Sequence, residues 1–340
     1  MIPIVARSGA DPWNHVEAAI ALDLNGYHAA ALAAYGWLAT TQRRDGSWFA
    51  TYDPSGHRDA LYVDTNAVGY LATGLLLHHL VTDGADVAGE LFFVMARALD
   101  FVTTLERGLG RIPWSIEPAG APARASLLAA SSSLVSSLRH GALLATELGL
   151  ESIQWMLAAD RIAARVREPH EAFMDKSEFA MDWYYPVLAG VLEGRQAIEH
   201  YDAQRAVFVT ENGVLCRSDR RWVTSAETAE ASIAAARLGD LATAEELFMT
   251  LGDKRLTSGG YRTGLVYPER SEFPPGEETS YSAAAVLIAA DVLAGGVAAT
   301  LFGVGADAGH GIVQRETSTR RLPVRSVLSS TNRPEESASL

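Results

Sequence analysis

Asp11-Pro-Trp-Asn-His-Val-Glu-Ala-Ala-Ile-Ala-Leu-Asp-Leu-Asn-Gly-Tyr-His-Ala-Ala-Ala-Leu-Ala-Ala-Tyr-Gly-Trp-Leu-Ala-Thr-Thr41, running on into Gln42-Arg-Arg-Asp-Gly-Ser-Trp48, carries the plan of the chain. Asp11 before Pro12 is an N-cap followed by a proline where a helix tolerates one. Asn25-Gly26 breaks that helix after four turns, and Tyr27 to Thr41 resumes one, with Ala30, Leu32, Ala33, Tyr35, Gly36 and Leu38 at close-packing positions. A long loop follows, with a clear turn at Tyr52-Asp-Pro-Ser-Gly56. The unit is helix, short turn, helix, long loop.

The same unit recurs along the chain. Apolar residues repeat at spacings of three and four, which predicts helices from Asp64-Thr65 to about 81, then over 88–106, 131–148, 152–167, 183–193, 197–208, 226–238, 241–251 and 280–293. Strand signals are few; 207–210 and 213–216 can form a small hairpin around Glu211-Asn212-Gly213. Short and long connections in alternation describe helical hairpins. Long loops after every second helix gather at one end of the molecule. The expected fold is therefore all-α, an α/α barrel of hairpins with its long loops on one face. The barrel domain is expected over 1–300 and a flexible tail over 301–340, since 312–340 is rich in Ser, Thr and Arg without apolar period.

Composition excludes several functions. A net charge of −13 argues against nucleic acid or an anionic membrane as partner, since both need a basic face. Cys216 is the only cysteine, so a disulfide framework and a cysteine-based zinc cluster are excluded, and its thiol reads as inert. The N-terminus has no signal-peptide pattern and no apolar run is long enough to span a bilayer, so a cytoplasmic protein is expected. No phosphate loop, serine elbow or metal set stands out, and no cofactor is implied. His78-His79, late on an apolar helix, read as core or helix-end residues rather than metal ligands.

The long loops carry the chemistry. Each offers an aromatic and a carboxylate: Trp48, Tyr52 and Asp64; Trp114 and Glu117; Asp175 to Leu188, with Asp182 beside Trp183, Tyr184 and Tyr185; Trp222, Glu227 and Glu230; then Tyr261, Arg262, Tyr267, Glu278 and Tyr281. Rings stack on sugar faces, carboxylates bond hydroxyls, and a carboxylate pair can break a glycosidic bond as acid and base. Aromatic faces can equally stabilise a carbocation in isoprenoid chemistry. The catalytic candidates are Asp182, Glu227, Glu278, Glu117 and Asp64. The substrate-binding candidates are Trp48, Trp114, Trp183, Tyr184, Tyr185, Trp222, Tyr261, Arg262 and Tyr267. Asp64 is also a natural N-cap, and Glu227, after Thr224-Ser225, also fits a capping box. Asp182 stands out because its aromatic neighbours can raise a carboxylate pKa.

The hairpin pattern, the loop Gly110-Arg-Ile-Pro-Trp-Ser-Ile-Glu117 and the helix after it resemble six-hairpin glycosidases of the glucoamylase-like kind. That resemblance implies a six-hairpin toroid, a carbohydrate-active hydrolase, and acid and base roles near Glu117 and at Glu277-Glu278. In that family the acid directly follows the tryptophan, where this chain has Ser115. A second resemblance is to terpene cyclases and prenyltransferases. Gln42-Arg-Arg-Asp-Gly-Ser-Trp48 fits their Gln-Trp motif, and Val63-Asp-Thr-Asn-Ala67 is similar to their acid motif. It implies an isoprenoid substrate with Asp64 as the acid. The expected partner is thus a small molecule, glycan first and isoprenoid second; a catalytically silent ligand-binding barrel is the third reading.

Overall fold

A computed structural model describes residues 1–304, apart from 83, 85–86, 107–109 and 169–172. Its helices are α1 (Pro12–Leu24), α2 (His28–Thr41), α3 (Thr65–Gly69), α4 (Leu71–Val81), α5 (Phe92–Leu105), α6 (Leu128–Glu147), α7 (Ile153–Val166), α8 (Ala180–Leu188), α9 (Gly194–Phe208), α10 (Ser225–Arg237), α11 (Leu241–Met249), α12 (Ser280–Leu293) and α13 (Val297–Leu301). Helices α1, α4, α6, α8, α10 and α12 each pack on the next, and α12 returns to α1, closing an inner ring. Helices α2, α5, α7, α9 and α11 lie outside it, each against the inner helix of its own hairpin. This is the expected α/α barrel.

The ring closes because its helices are apolar on nearly every side. Residues Leu71 to His78 of α4 are all buried, as are ten of the thirteen residues of α10. A helix that is hydrophobic all round has no face for water and must be enclosed by others. In α10 most of the buried residues are Ala, Ser or Thr, which lets neighbouring axes approach at the short end of the usual 8–10 Å range. The outer α7 is two-sided instead, with Trp155, Ala158, Ala159, Ile162 and Ala163 inward.

Every long loop enters an inner helix, and short strands sew these loops together. β1 (Val63–Asp64) pairs antiparallel with β2 (Ser115–Ile116). β3 (Val209–Thr210) and β4 (Gly213–Val214) form the small hairpin expected from Asn212-Gly213. β5 (Trp222–Thr224), β6 (Gly264–Val266) and β7 (Ser271–Glu272) make a three-stranded sheet. Bridges Ala10–Tyr52 and Phe179–Arg217 add the remaining loops, and Ser280 N–H donates to Ile4 O at 2.8 Å. The N-termini of all six inner walls therefore meet at one face.

Helix boundaries differ from the sequence reading by a few residues, most at two places. The helix expected over 183–193 begins at Ala180 and ends at Leu188, because Gly190 takes a left-handed turn (φ 64°). Beyond the last helix expected, 280–293, the structure adds α13, which lies under the opposite end of the barrel. There His140 Nε2 meets Leu301 O at 3.2 Å and Arg237 donates to Phe302 O. The tail expected beyond residue 301 lies, from 305 onward, outside the described residues.

The Gln42 to Trp48 segment is a fastening. Gln42 Nε2 donates to Gly46 O at 2.9 Å and to Val94 O at 2.8 Å, tying the end of α2 to α5. The Trp48 indole is 1% exposed and donates to Leu38 O at 2.9 Å. Gly46 has φ 92°, and a Cβ there would sit 2.3 Å from the Arg97 carbonyl oxygen. Gly46→Ala is expected to cost about 1–3 kcal/mol by backbone strain, read as a lower denaturant midpoint at unchanged m-value.

Candidate active site

The inner helices bring their buried acids to the long-loop face. On α1, Asp11 caps the helix, its Oδ1 accepting from Asn14 N at 2.9 Å, and Glu17 lies one and a half turns on, 4% exposed. Trp13 Nε1 donates to Glu17 Oε2 at 3.2 Å. On α10, Glu227 and Glu230 stand one turn apart, both half-buried. That spacing puts both carboxyls on one face of the helix. Tyr184 OH of α8 donates to Glu230.

The alternative role of Glu227 as a capping-box residue is not realised. Thr224, the N-cap of α10, makes no side-chain cap bond, and its buried hydroxyl has no partner among the described residues. The Glu227 carboxylate faces the lumen and the Cys216 thiol instead, which donates to it. Burial first, and then the Glu227 charge and this hydrogen bond, push the thiol pKa far up. Cys216 is inert as a nucleophile.

Burial and neighbouring charge raise the pKa of Glu17 and Glu230. Glu17 is pushed up to about 8, first by burial and then by the charges of Asp11 and Glu227, against the lowering effect of the Trp13 bond. Glu230 is raised well above the usual carboxylate range by burial and by Glu17. Burial also raises Asp11. Like charges out of water cannot all ionise, so the site keeps protons at neutral pH. Aromatic rings line the space around them. Trp13 stacks on Tyr70 with centroids 4.3 Å apart and planes 5° apart, and Tyr185 meets Trp13 edge-on at 5.9 Å. Tyr281 of α12 feels the Glu227 charge after burial, which places it by the same cluster.

The residues expected from sequence divide into three groups. Glu227, Tyr184 and Tyr185 belong to the cluster. Asp182 and Asp64 are helix-start acceptors, Asp182 taking Ala129 N at 3.2 Å and Asp64, within reach of the Asp11 charge, taking Asn66 N at 3.0 Å. Burial raises each to about 6, as the surroundings of Asp182 led us to expect. Glu117 and Glu278 are exposed, Glu117 beside a recess of about 300 Å³ shared with Arg43, Asp45 and Phe101. Trp114 packs edge-on against Tyr62 at 6.0 Å in the loops.

Two expectations are corrected. Trp48 and Trp183 do not face the cleft: Trp183 is fully buried against Tyr201 and Phe208 of α9, its indole donating to Tyr201 O at 2.8 Å. Their size and buried N–H place them in the core, Trp183 between the two helices of its own hairpin. Trp222, Tyr261, Arg262 and Tyr267 lie on the loop sheet and its turns; Trp222 Nε1 donates to Phe273 O at 2.9 Å, and Arg262 pairs with Glu272.

The chain is 38% identical over 293 residues to the MMP endo-(1,4)-3-O-methyl-alpha-D-mannosidase of Mycolicibacterium hassiacum, a match spanning 86% of this chain and 81% of that enzyme. The chain belongs to the family of this endo-mannosidase. It is a carbohydrate-active enzyme of the glycoside-hydrolase-like kind. No family model matches it. Among solved structures, a wild-type glycosidase superposes with TM-score 0.67 at 15% identity, covering 86% of this chain and 91% of its own. A glycosidase in complex with glucose gives 0.66 at 14%, with the same coverage of both chains. The cellobiose 2-epimerase of Spirochaeta thermophila gives 0.63 at 12%, covering 85% and 88%. At such identities these likenesses establish the six-hairpin fold.

Asp11, Trp13, Glu17 and Tyr70 do not stand out in the sequence as site residues, nor do roles for Glu230 and Tyr281, because they lie in or beside helices rather than in the long loops. A signal was present: Glu17, Glu227 and Glu230 each sit in a helix that is otherwise almost wholly apolar or small. In an enclosed helix a carboxylate must point into a lumen or find a partner.

Glu17 binds its proton in the fold up to about pH 8, whereas the open chain releases it near 4.5. The folded state thus holds more protons between those values, so its contribution to stability is complete below about 4.5 and lost as pH rises through about 8. Glu17→Gln is expected to flatten the fall in Tm over that window, measured by thermal unfolding at a series of pH values.

Proposed function

We propose that this protein is an endo-acting mannosidase that cleaves α-(1,4) linkages inside an O-methylated mannan, with its chemistry at the Glu17, Glu227 and Glu230 cluster. One observation carries the reading: three mutually repelling carboxyls from α1 and α10 meet beside the stacked Trp13–Tyr70 pair at the face where every long loop converges. The linkage and the methyl group are those in the name of the mycobacterial relative. Stacked rings give an O-methyl sugar an apolar surface that a purely polar site lacks.

Roles follow from the electrostatics. Glu17, protonated to about pH 8, is the general acid that gives its proton to the departing glycosidic oxygen. Glu227, on the wall two helices away, is the carboxylate that activates water or attacks the anomeric carbon. The Asp11 and Glu227 charges help keep Glu17 protonated, and Glu230, held by Tyr184 OH and raised by burial and by Glu17, keeps its own proton. Of the residues singled out in the sequence, Glu227 is catalytic, Tyr184 and Tyr185 shape the pocket, and Asp182 and Asp64 fix helix starts. Glu117, Glu278, Trp114, Trp222, Tyr261, Arg262 and Tyr267 belong to the outer loops, where a long glycan extends beyond the cleaved bond.

Incubating the purified chain with α-(1,4)-linked 3-O-methylmannose oligosaccharides should release internal fragments, resolved by mass spectrometry. Release of monomer from one end alone, or cleavage only of unmethylated chains, would overturn the assignment. Glu17→Gln and Glu227→Gln should each lower kcat by about 10²–10⁴-fold with Tm at pH 6 largely retained. Glu278→Gln and Glu117→Gln should change kcat by about tenfold at most. The opposite ranking would move the chemistry to the loops.

A further inference from the structure

At the end of the barrel away from the acids, three helices bring together one carboxylate and two imidazoles. Asp23 is in the last turn of α1, His28 opens α2, and His78 is near the end of α4. Asp23 Oδ1 lies 3.0 Å from His28 Nδ1 and 2.8 Å from His78 Nδ1, and all three donor atoms fall within 4.8 Å of one another. Among the described residues this is the one group of three His, Cys, Asp or Glu side chains that converges so closely. We propose that Asp23, His28 and His78 form a structural zinc site that clamps α1, α2 and α4.

The donor chemistry fits. Two imidazoles and one carboxylate are a three-ligand zinc set, completed by water in the fourth position. Tetrahedral zinc with bonds of about 2.0–2.1 Å sets neighbouring donors about 3.3 Å apart. Both Asp23–histidine separations are within half an ångström of that edge, so small side-chain adjustments admit the ion. Oδ1 reaches both imidazoles, while Oδ2 lies 3.0 Å from His78 Nδ1 and accepts from Tyr35 OH at 3.2 Å. Tyr35 OH is thus the outer hydrogen-bond donor that a ligand carboxylate carries.

Charge points the same way. The Asp23 side chain is fully buried, and among the described residues it pairs with no Lys or Arg. A buried carboxylate without a permanent cation is costly, and a divalent ion supplies the missing charge. The His28 side chain is 39% exposed, which leaves a way in for the metal and room for its water. The position explains why the role is structural: the ion would join the closing turn of the first hairpin to the second inner wall, at the end opposite the carboxylate cluster.

The full chain, stripped with a chelator, would be titrated with zinc chloride against a competing chromophoric chelator. The wild type should take up about one tight equivalent and show a zinc-dependent rise in Tm. His28→Ala, at a half-exposed position that leaves the core intact, should lose both effects. Tyr35→Phe should weaken zinc by about 10–100-fold. A wild type that takes up no zinc, or a His28→Ala variant that binds it as tightly as wild type, would overturn the site and leave a hydrogen-bonded cluster.

Discussion

Carboxyl groups held close together out of water repel one another, and the design of this barrel turns on how that repulsion is met. Asp11 and Glu17 on α1 and Glu227 and Glu230 on α10 cannot all be ionised, so protons are retained on some of them well above the ordinary range. Three devices make the arrangement tolerable. Trp13 N–H and Tyr184 O–H donate directly to Glu17 and Glu230. The inner helices all begin at this face, and their N-terminal dipoles favour negative charge there. The closed ring of apolar walls then keeps the carboxyls from separating.

The same closure links fold to chemistry. A glycosidase needs one carboxyl that still carries its proton beside another that does not. Burial supplies that contrast, and Glu117 and Glu278 are exposed instead. The lumen of a helical ring supplies it, because α10, made largely of alanine, serine and threonine, leaves room for the long side chains that point inward. Aromatic residues serve two ends. Trp48 and Trp183 are consumed in the core, whereas Trp13, Tyr70 and Tyr185 gather beside Glu17, where the proposed function stacks a sugar ring.

The Gln42 to Trp48 segment shows why a short motif misleads about function. It resembles a signature of isoprenoid cyclases, yet its glutamine and tryptophan are engaged with main-chain carbonyls of Val94, Gly46 and Leu38. Any barrel of helical hairpins must anchor the exit of an outer helix, and this is one economical way to do it. Asp64, the residue that resemblance would make an acid, begins a helix within reach of the Asp11 charge.

The sequence by itself determined the hairpins. Caps such as Asp11-Pro12, breaks such as Asn25-Gly26 and the alternation of short and long connections are local signals, written within a few residues of where they act. From them the ring and its single functional face follow, and Glu227, Tyr184 and Tyr185 could be named as neighbours of that face. Only the tertiary structure decided which residues occupy the lumen. Glu17 and Trp13 meet Tyr70, Tyr185 and Glu230 across separations of fifty to more than two hundred residues, and nothing within a helix says which of its enclosed faces looks inward. The same holds for Asp23, His28 and His78, three unremarked residues until α1, α2 and α4 converge. Burial also acts only in three dimensions, so the protonation of Glu17 belongs to the assembled ring and not to the residue.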